Sequence, residues 1–215
     1  MKLINRWAES SNRSLEILNA STASPANVQG HPWSGHNCQR WLFELVKAPG
    51  TSDPYDFGWR WVFGNVRQTK NIYSGYKRSD RPDHYAIDLS NTAGYPIDGT
   101  EIRSPASGKV VMLWTGHASI GNGVMVETNN VDPNTGKKIR VRFIHMKATP
   151  TVLLNQTVSV GTKLGNVGST GNSTGPHLDL AMTKDGSTSI SLSGSINPQR
   201  FFNFIPFTGK TSTAA

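Results

Sequence analysis

Residues 168–180 read GSTGNSTGPHLDL, a loop of glycine, serine and threonine that ends in a short alternating run. Because successive side chains of a β-strand point to opposite faces, His177 and Asp179 share one face of a strand predicted over His177–Met182. The leucines that alternate with them share the other face and suit a core. The loop is too rich in glycine and hydroxyl side chains to be buried, so we expect it to wall a cleft and to offer N–H and hydroxyl groups to a peptide.

Residues 84–89, HYAIDL, repeat this pattern on a second predicted strand. His84 and Asp88 share one face with the small Ala86, and Tyr85, Ile87 and Leu89 share the other face. An imidazole and a carboxylate on one face can bind one metal ion together. Two such polar pairs on two strands therefore predict a metal site on the side of the sheet that faces away from the core.

A third histidine, His145, ends the apolar run Arg140–Met146. Taken alone, a histidine in this position is more often a packed, hydrogen-bonded residue than a catalytic one. The HxxxD and HxD pairs are also weak signals when taken singly, because both occur by chance in many proteins. Their order, their spacing and the loop between them are what indicate a functional site.

From about residue 80, short β-prone runs alternate with turn residues such as DPNTG at 132–136. This pattern predicts a mainly β protein built as an antiparallel sheet or sandwich. The predicted strands are His84–Leu89, Gly108–Trp114, Gly123–Thr128, Ile139–His145, Lys163–Val167 and His177–Met182.

From about Asp83 to Phe202 the sequence resembles the lysostaphin/LytM-like zinc endopeptidases, which cut peptide cross-links in bacterial peptidoglycan. The resemblance implies an antiparallel β fold of the lysostaphin-like metallopeptidase type over residues 76–207. The motifs that carry it are SPASGKV at 104–110, GNGVMV at 121–126, FIHM at 143–146, VSVGTKLG at 158–165 and the loop GSTGNSTGPH at 168–177.

By position, the resemblance implies that His84, Asp88 and Asp179 bind one Zn²⁺ and that His145 and His177 are catalytic. Three protein ligands leave a position for water, whose pKa the zinc ion lowers. The family has histidine where this sequence has Asp179. Two carboxylates neutralise more of the ion's charge, so a harder ion such as Mn²⁺, or no metal, is the alternative.

The resemblance implies a metal-dependent endopeptidase that cleaves peptidoglycan peptides through a metal-activated water. The alternative is a catalytically degenerate relative that binds wall peptides or a partner protein. The first residues, MKLINRW, lack the apolar region of a secretory signal. The resemblance implies a site of action in the cell wall or periplasm. Because no signal is visible, we expect this site to be reached through a phage, a secretion machine or a signal since removed. An injected toxin would also have a cognate inhibitor or immunity protein.

The formal net charge is +8, which suits an anionic partner such as a bacterial wall. No nucleic-acid motif accompanies the basic cluster Lys137, Lys138, Arg140 and Arg142, so we interpret it as a solvated face and expect no nucleic-acid partner. No run approaches the ~20 apolar residues of a membrane span. A single cysteine excludes a disulfide within the chain.

Residues 1–75 are predicted to form a small mixed extension of unknown role, and residues 208–215 a flexible tail. A short helix is expected over residues 13–20. The aromatic runs 41–46 and 59–63 are interpreted as two strands, or a strand and a short helix, whose aromatic rings enter a core.

Three further residues offer an alternative second metal site, but a surface loop is the preferred interpretation for all of them. Another histidine lies in a turn, either at the rim of the cleft or simply exposed. These residues are His31, His36 and Cys38, and the turn histidine His117.

Overall fold

The computed structural model describes residues 55, 57–64, 71–91, 96–202, 205 and 207–210, all within the compact unit Asp53–Ala215. The predicted helix at 13–20, the first aromatic run and the residues of the alternative second metal site lie outside the described residues.

The described residues form short and long strands with one short 3₁₀ helix. In this part of the chain, no helix is long and apolar enough to cross a membrane. The strands are β1 (Asn71–Ser74), β2 (Ala86–Ser90), β3 (Glu101–Arg103), β4 (Gly108–His117), β5 (Gly121–Val131), β6 (Lys138–Met146), β7 (Thr157–Val158), β8 (Lys163–Asn166), β9 (Leu178–Thr183), β10 (Ser195–Ile196) and β11 (Thr208–Gly209), and the 3₁₀ helix is Pro198–Phe202.

Nine strands form one sheet in the order β11-β1-β2-β9-β6-β5-β4-β7, with β10 paired to β9, and β3 and β8 form a separate two-stranded sheet. Every pairing among them is antiparallel except that of β1 with β11. The predicted antiparallel, mainly β fold is therefore confirmed. Each of the six predicted strands is present, with ends shifted by a few residues.

One face of the large sheet is apolar and carries much of the core. Ile87, Leu180, Phe143 and Val124 form a cross-strand row through β2, β9, β6 and β5, and each is fully buried. Burying a side chain of this size stabilises the fold by about 1.5–3 kcal/mol. The alternation predicted from the sequence therefore leaves the opposite face of the same strands for polar residues.

The second aromatic run packs into this core without forming a strand or a helix, so that part of the prediction is wrong. Trp59 stacks on Phe201 with ring centroids 4.6 Å apart, and Trp61 meets Phe202 edge-on at 5.0 Å. The backbone turns at residues 61–64, where the N–H of Gly64 donates to the carbonyl of Trp61. The prediction that these aromatic rings are buried is confirmed.

The edge strand β11 lies inside the segment predicted as a flexible tail. Thr208 and Gly209 pair in parallel with Asn71 and Ile72, and the N–H of Lys210 donates to the carbonyl of Ile72 at 2.7 Å. The predicted tail boundary at residue 208 is corrected accordingly, because these residues complete the edge of the sheet.

Candidate metal and catalytic site

The two carboxylates of the predicted site lie directly opposite each other on neighbouring strands. Asp88 of β2 pairs with Asp179 of β9, so both side chains project from the face opposite the apolar row. Like charges placed directly across a strand pair destabilise a sheet. A nearby positive group is therefore needed to hold both carboxylates ionised.

His84 supplies the third group of this cluster. Its Nε2 lies 3.1 Å from Oδ1 of Asp88 and 3.7 Å from Oδ2 of Asp179. One ligand atom from each of the three side chains lies within 4.8 Å of the others, and all three residues are buried. The structure thus brings the three predicted metal ligands together.

The second oxygen of each carboxylate is held by an arginine. Nη1 of Arg81 lies 2.8 Å from Oδ2 of Asp88, and Nη2 of Arg142 lies 3.0 Å from Oδ1 of Asp179. Each carboxylate therefore turns one oxygen toward His84 and gives the other to a guanidinium.

The contacts of Arg81 and Arg142 with the site were not predicted from the sequence. The interpretation of Arg142 as part of a solvated basic face is wrong. The side chain of Arg142 is only 17% exposed, and Arg140 of the same cluster is largely buried against Glu127. Alternation along β6 could have signalled this, because it places Arg142 on the same face as Ile144, the cross-strand neighbour of Asp179.

The charges of the cluster shift the pKa values of its members. Burial lowers the pKa of His84, but the close, negatively charged carboxylates of Asp179 and Asp88 outweigh burial and raise this pKa to about 9. Burial raises the pKa of Asp179, but Arg142 and then His84 outweigh it and hold this pKa well below its usual range. At neutral pH the imidazolium of His84 is then a cation between two carboxylates.

Two buried atoms indicate that this cluster suits a metal cation. Nε2 of His84 and Oδ1 of Asp88 have no hydrogen-bond partner among the described residues, although they face each other at 3.1 Å. Leaving buried polar atoms unsatisfied costs free energy, which a bound cation would remove. One imidazole and two carboxylates are donors that both Zn²⁺ and Mn²⁺ accept. The residues present therefore fit a divalent ion.

The two predicted catalytic histidines lie beside this cluster, with ring centroids 4.7 Å apart. Nδ1 of His145 bonds the carbonyl of Thr170 at 2.8 Å, and Nδ1 of His177 bonds the carbonyl of Gly175 at the same distance. Because a carbonyl only accepts, Nδ1 carries the hydrogen in both rings, and Nε2 remains available to react. Nε2 of His177 is 3.9 Å from Oδ1 of Asp88.

Burial lowers the pKa of His145, with smaller opposing contributions from its hydrogen bond to Thr170 and from nearby carboxylates. The imidazole of His145 is therefore neutral at neutral pH. A neutral ring whose Nδ1 carries the hydrogen can accept a proton at Nε2.

A bulge in β6 brings His145 to the site. Between the pairs Val124–Phe143 and Asn122–Met146, β6 has one residue more than β5, and His145 has a φ of +62°. Strict alternation would place His145 on the core face with Phe143, whereas the bulge lets its ring reach His177. Gly123 lies opposite the bulge, where a Cβ would be 2.8 Å from the carbonyl oxygen of Phe143.

The glycine-rich loop is tied to the sheet through Thr170. Its Oγ1 donates to the carbonyl of Met146 at 2.6 Å and accepts from the N–H of Asn122 at 2.9 Å. Gly121 makes room for this contact, since a Cβ there would be 2.3 Å from the backbone of Thr170. The predicted loop therefore both borders the site and positions His145.

The exposed histidine His117 belongs to its own turn. Its Nδ1 accepts hydrogen bonds from the N–H groups of Ser119 and Ile120 at 3.2 and 3.1 Å. These contacts cap the β4–β5 turn and agree with the interpretation of His117 as an exposed turn residue.

A sequence model of peptidase family M23 matches residues 82–190, just over half of the 215 residues and a range that contains all five predicted site residues. Among solved structures, the catalytic domain of the antimicrobial peptidase lysostaphin from Staphylococcus simulans is 26% identical, with 66% of this chain and 95% of that chain covered and a TM-score of 0.46. A zinc containing peptidase from Vibrio cholerae is 23% identical, with 68% and 37% covered and a TM-score of 0.44. The chain spans 55% of the longer lysostaphin chain, at 23% identity and a TM-score of 0.49.

Proposed function

Because the chain belongs to peptidase family M23, as its motifs predicted, we propose that it is a metal-dependent endopeptidase that cleaves peptides of bacterial peptidoglycan. One observation carries this proposal. His84, Asp88 and Asp179 form a buried ligand set on the sheet, and two histidines with free Nε2 atoms lie beside it.

The ion would be held by Nε2 of His84 and by the carboxylate oxygens of Asp88 and Asp179 that face it. Zn²⁺ is the proposed ion, with Mn²⁺ as the alternative that two carboxylates also suit. When bound, such an ion supplies Lewis acidity at the scissile carbonyl and makes water more acidic.

The two histidines divide the proton transfers between them. His145 is neutral and free at Nε2, so it can accept the proton of the attacking water as a general base. His177 in its protonated form can donate from Nε2 to the oxyanion that develops on the carbonyl. Hydrogen bonds to the carbonyls of Thr170 and Gly175 fix the orientation of both rings during these steps.

The surroundings of the site support a wall substrate. The loop before His177 is largely exposed and offers backbone and hydroxyl groups to a peptide. The net charge of +8 draws the protein toward polymers that carry carboxylates and phosphates. We therefore place its action outside the cytoplasm, on the peptide part of the bacterial wall.

The second candidate function is a non-catalytic relative that binds wall peptides or a partner protein. The ion pairs of Arg81 with Asp88 and of Arg142 with Asp179 favour it, because they stabilise both carboxylates without any metal. The two functions differ in one measurable property, since only the enzyme needs a bound ion.

Metal content and cleavage of purified peptidoglycan test the proposal. The wild type should bind one equivalent of metal and cleave, His84→Ala should lose both properties, and His145→Ala should keep the metal but lose cleavage. His117→Ala is the matched control and should behave as wild type, because this histidine only caps its own turn. A wild type without metal, and no more active than His84→Ala, would favour the binding protein.

A further inference from the structure

Arg142 of β6 lies beside the proposed metal ligands and contacts one of them, Asp179 of β9. Its strand neighbour across the sheet is Ala181, and its guanidinium reaches diagonally to Asp179, with Nη2 3.0 Å from Oδ1. The Nε of Arg142 is buried and has no hydrogen-bond partner among the described residues. Among the described residues, Asp179 is the carboxylate that pairs with this cation.

The opposite charges of Arg142 and Asp179 cancel each other. An aspartate ligand adds one negative charge to a metal site, whereas an imidazole ligand such as His84 adds none. The guanidinium of Arg142 is permanently charged, and at 3.0 Å it offsets the negative charge of Asp179. The two residues together are therefore neutral, like a single imidazole.

We propose that Arg142 is a positioning residue that makes Asp179 act as a neutral metal ligand, by binding Oδ1 and leaving Oδ2 turned toward His84. This inference rests on the proposed function, because it concerns the ion of the same site. It assigns Arg142 a role in metal binding and not in the contacts with substrate.

Arg142 is much more deeply buried than Arg81, the other arginine of the site. The side chain of Arg81 makes a similar contact with Asp88 but is 55% exposed, whereas that of Arg142 is 17% exposed. Solvent screens an exposed pair, and exposed ion pairs contribute at most about 1 kcal/mol. Removing one partner of a buried pair leaves an uncompensated charge. Arg140 of the same strand is about as buried, with its side chain 19% exposed, but it pairs with Glu127, which is not a proposed metal ligand. Arg140→Gln is therefore the matched control for Arg142→Gln.

The test is a double-mutant cycle in which zinc affinity is measured by competition with a chelator. Arg142→Gln should weaken zinc binding by about 10- to 100-fold, because Oδ1 of Asp179 is no longer held and Oδ2 is free to turn away from His84. Asp179→His should weaken it by a similar factor, because Arg142 then remains as an unpaired cation beside the ion. The double variant should recover to within about tenfold of wild type, because an imidazole needs no compensating cation. Arg140→Gln should change the affinity by less than about fivefold, because its carboxylate partner is not a proposed metal ligand.

Thermal unfolding of the metal-free proteins accompanies the cycle. Both single variants should unfold at lower temperature than wild type, and the double variant should recover part of the loss. If Asp179→His does not fold, Asp179→Asn takes its place in the unfolding cycle alone, because a carboxamide is a poor zinc ligand. The zinc affinities of wild type, Arg142→Gln and Arg140→Gln then test the inference.

Three results would overturn the inference. Additive effects of the two substitutions would do so, as would wild-type zinc affinity of Asp179→His with Arg142 in place. An Arg142→Gln variant that is less stable but binds zinc normally would show a purely structural role. In each of these cases the wild type still binds zinc, so the proposed function stands, whereas a wild type that binds neither zinc nor manganese overturns both.

Discussion

The carbonyl oxygen of Thr170 accepts a hydrogen bond from Nδ1 of His145 at 2.8 Å. The hydroxyl of the same threonine binds the backbone on both sides of the β5–β6 pair, at Asn122 and Met146. One loop residue therefore fixes the place of the loop and the tautomer of His145, a proposed catalytic residue.

We expect Thr170→Val to lower peptidase activity about tenfold or more while leaving metal binding intact. The substitution removes the hydroxyl but keeps the shape, and each buried partner left unsatisfied costs about 1–3 kcal/mol. Steady-state cleavage rates and metal content check the prediction. Thr174→Val is the control, because this exposed threonine lies in the same loop. Equal losses in both variants would contradict a specific role for Thr170.

We expect Gly123→Ala to destabilise the protein and to impair activity together. The new Cβ would lie 2.8 Å from the carbonyl oxygen of Phe143, so the backbone of the bulge would have to move. Overpacking of this kind costs about 1–3 kcal/mol, measurable by urea unfolding. Gly175→Ala is the control, because a Cβ there meets nothing within 4 Å. An unchanged Gly123→Ala protein would mean that the bulge tolerates a side chain.

The metal-free protein should lose stability as the pH rises from about 7 to 10. The pKa of His84 is raised to about 9 in the folded state, against about 6.5 unfolded. Its contribution is thus fully present below about pH 6.5 and is lost as the pH rises through 9, by at most about 3 kcal/mol. Unfolding midpoints across this range check the prediction. His84→Gln should flatten the profile, and an equally steep profile in that variant would assign the loss to other groups.

Zinc binding should release about one proton at pH 7 to 8. His84 must lose its proton to offer Nε2 to the ion, and its raised pKa means that the proton is present before binding. Calorimetry in buffers of different ionisation enthalpy measures the release. His145→Gln should release the same proton, because His145 is not a proposed ligand. Zinc uptake without proton release would mean that His84 is neutral before binding or is not a ligand.

The sequence predicts most of the fold because its core follows a period of two. Ile87 and Leu180 lie on the core face, and Asp88 and Asp179 lie on the other, as alternation requires. The same rule places both carboxylates of the proposed metal site on one face. These parts of the site follow from local order along two strands, with no knowledge of the tertiary structure.

Other parts of the site could not be predicted, because they depend on contacts between distant elements. The bulge that redirects His145 depends on one extra residue in β6 relative to β5, a relation that neither strand shows alone. Because the family has histidine where this chain has Asp179, the sequence alone predicts that Asp179→His keeps or raises the zinc affinity. The pairing with Arg142 reverses that prediction, since histidine would leave a buried cation without its carboxylate.

The cross-strand pair of Asp88 and Asp179 also bears on how the chain folds. If β2 slipped by one residue against β9, Asp88 would move to the apolar face and Ile87 would point away from the core. Burying an unpaired carboxylate costs far more than any contact the slipped pairing could gain. The residues proposed to hold the ion therefore also select the correct register of β2 against β9, before any metal or substrate is bound.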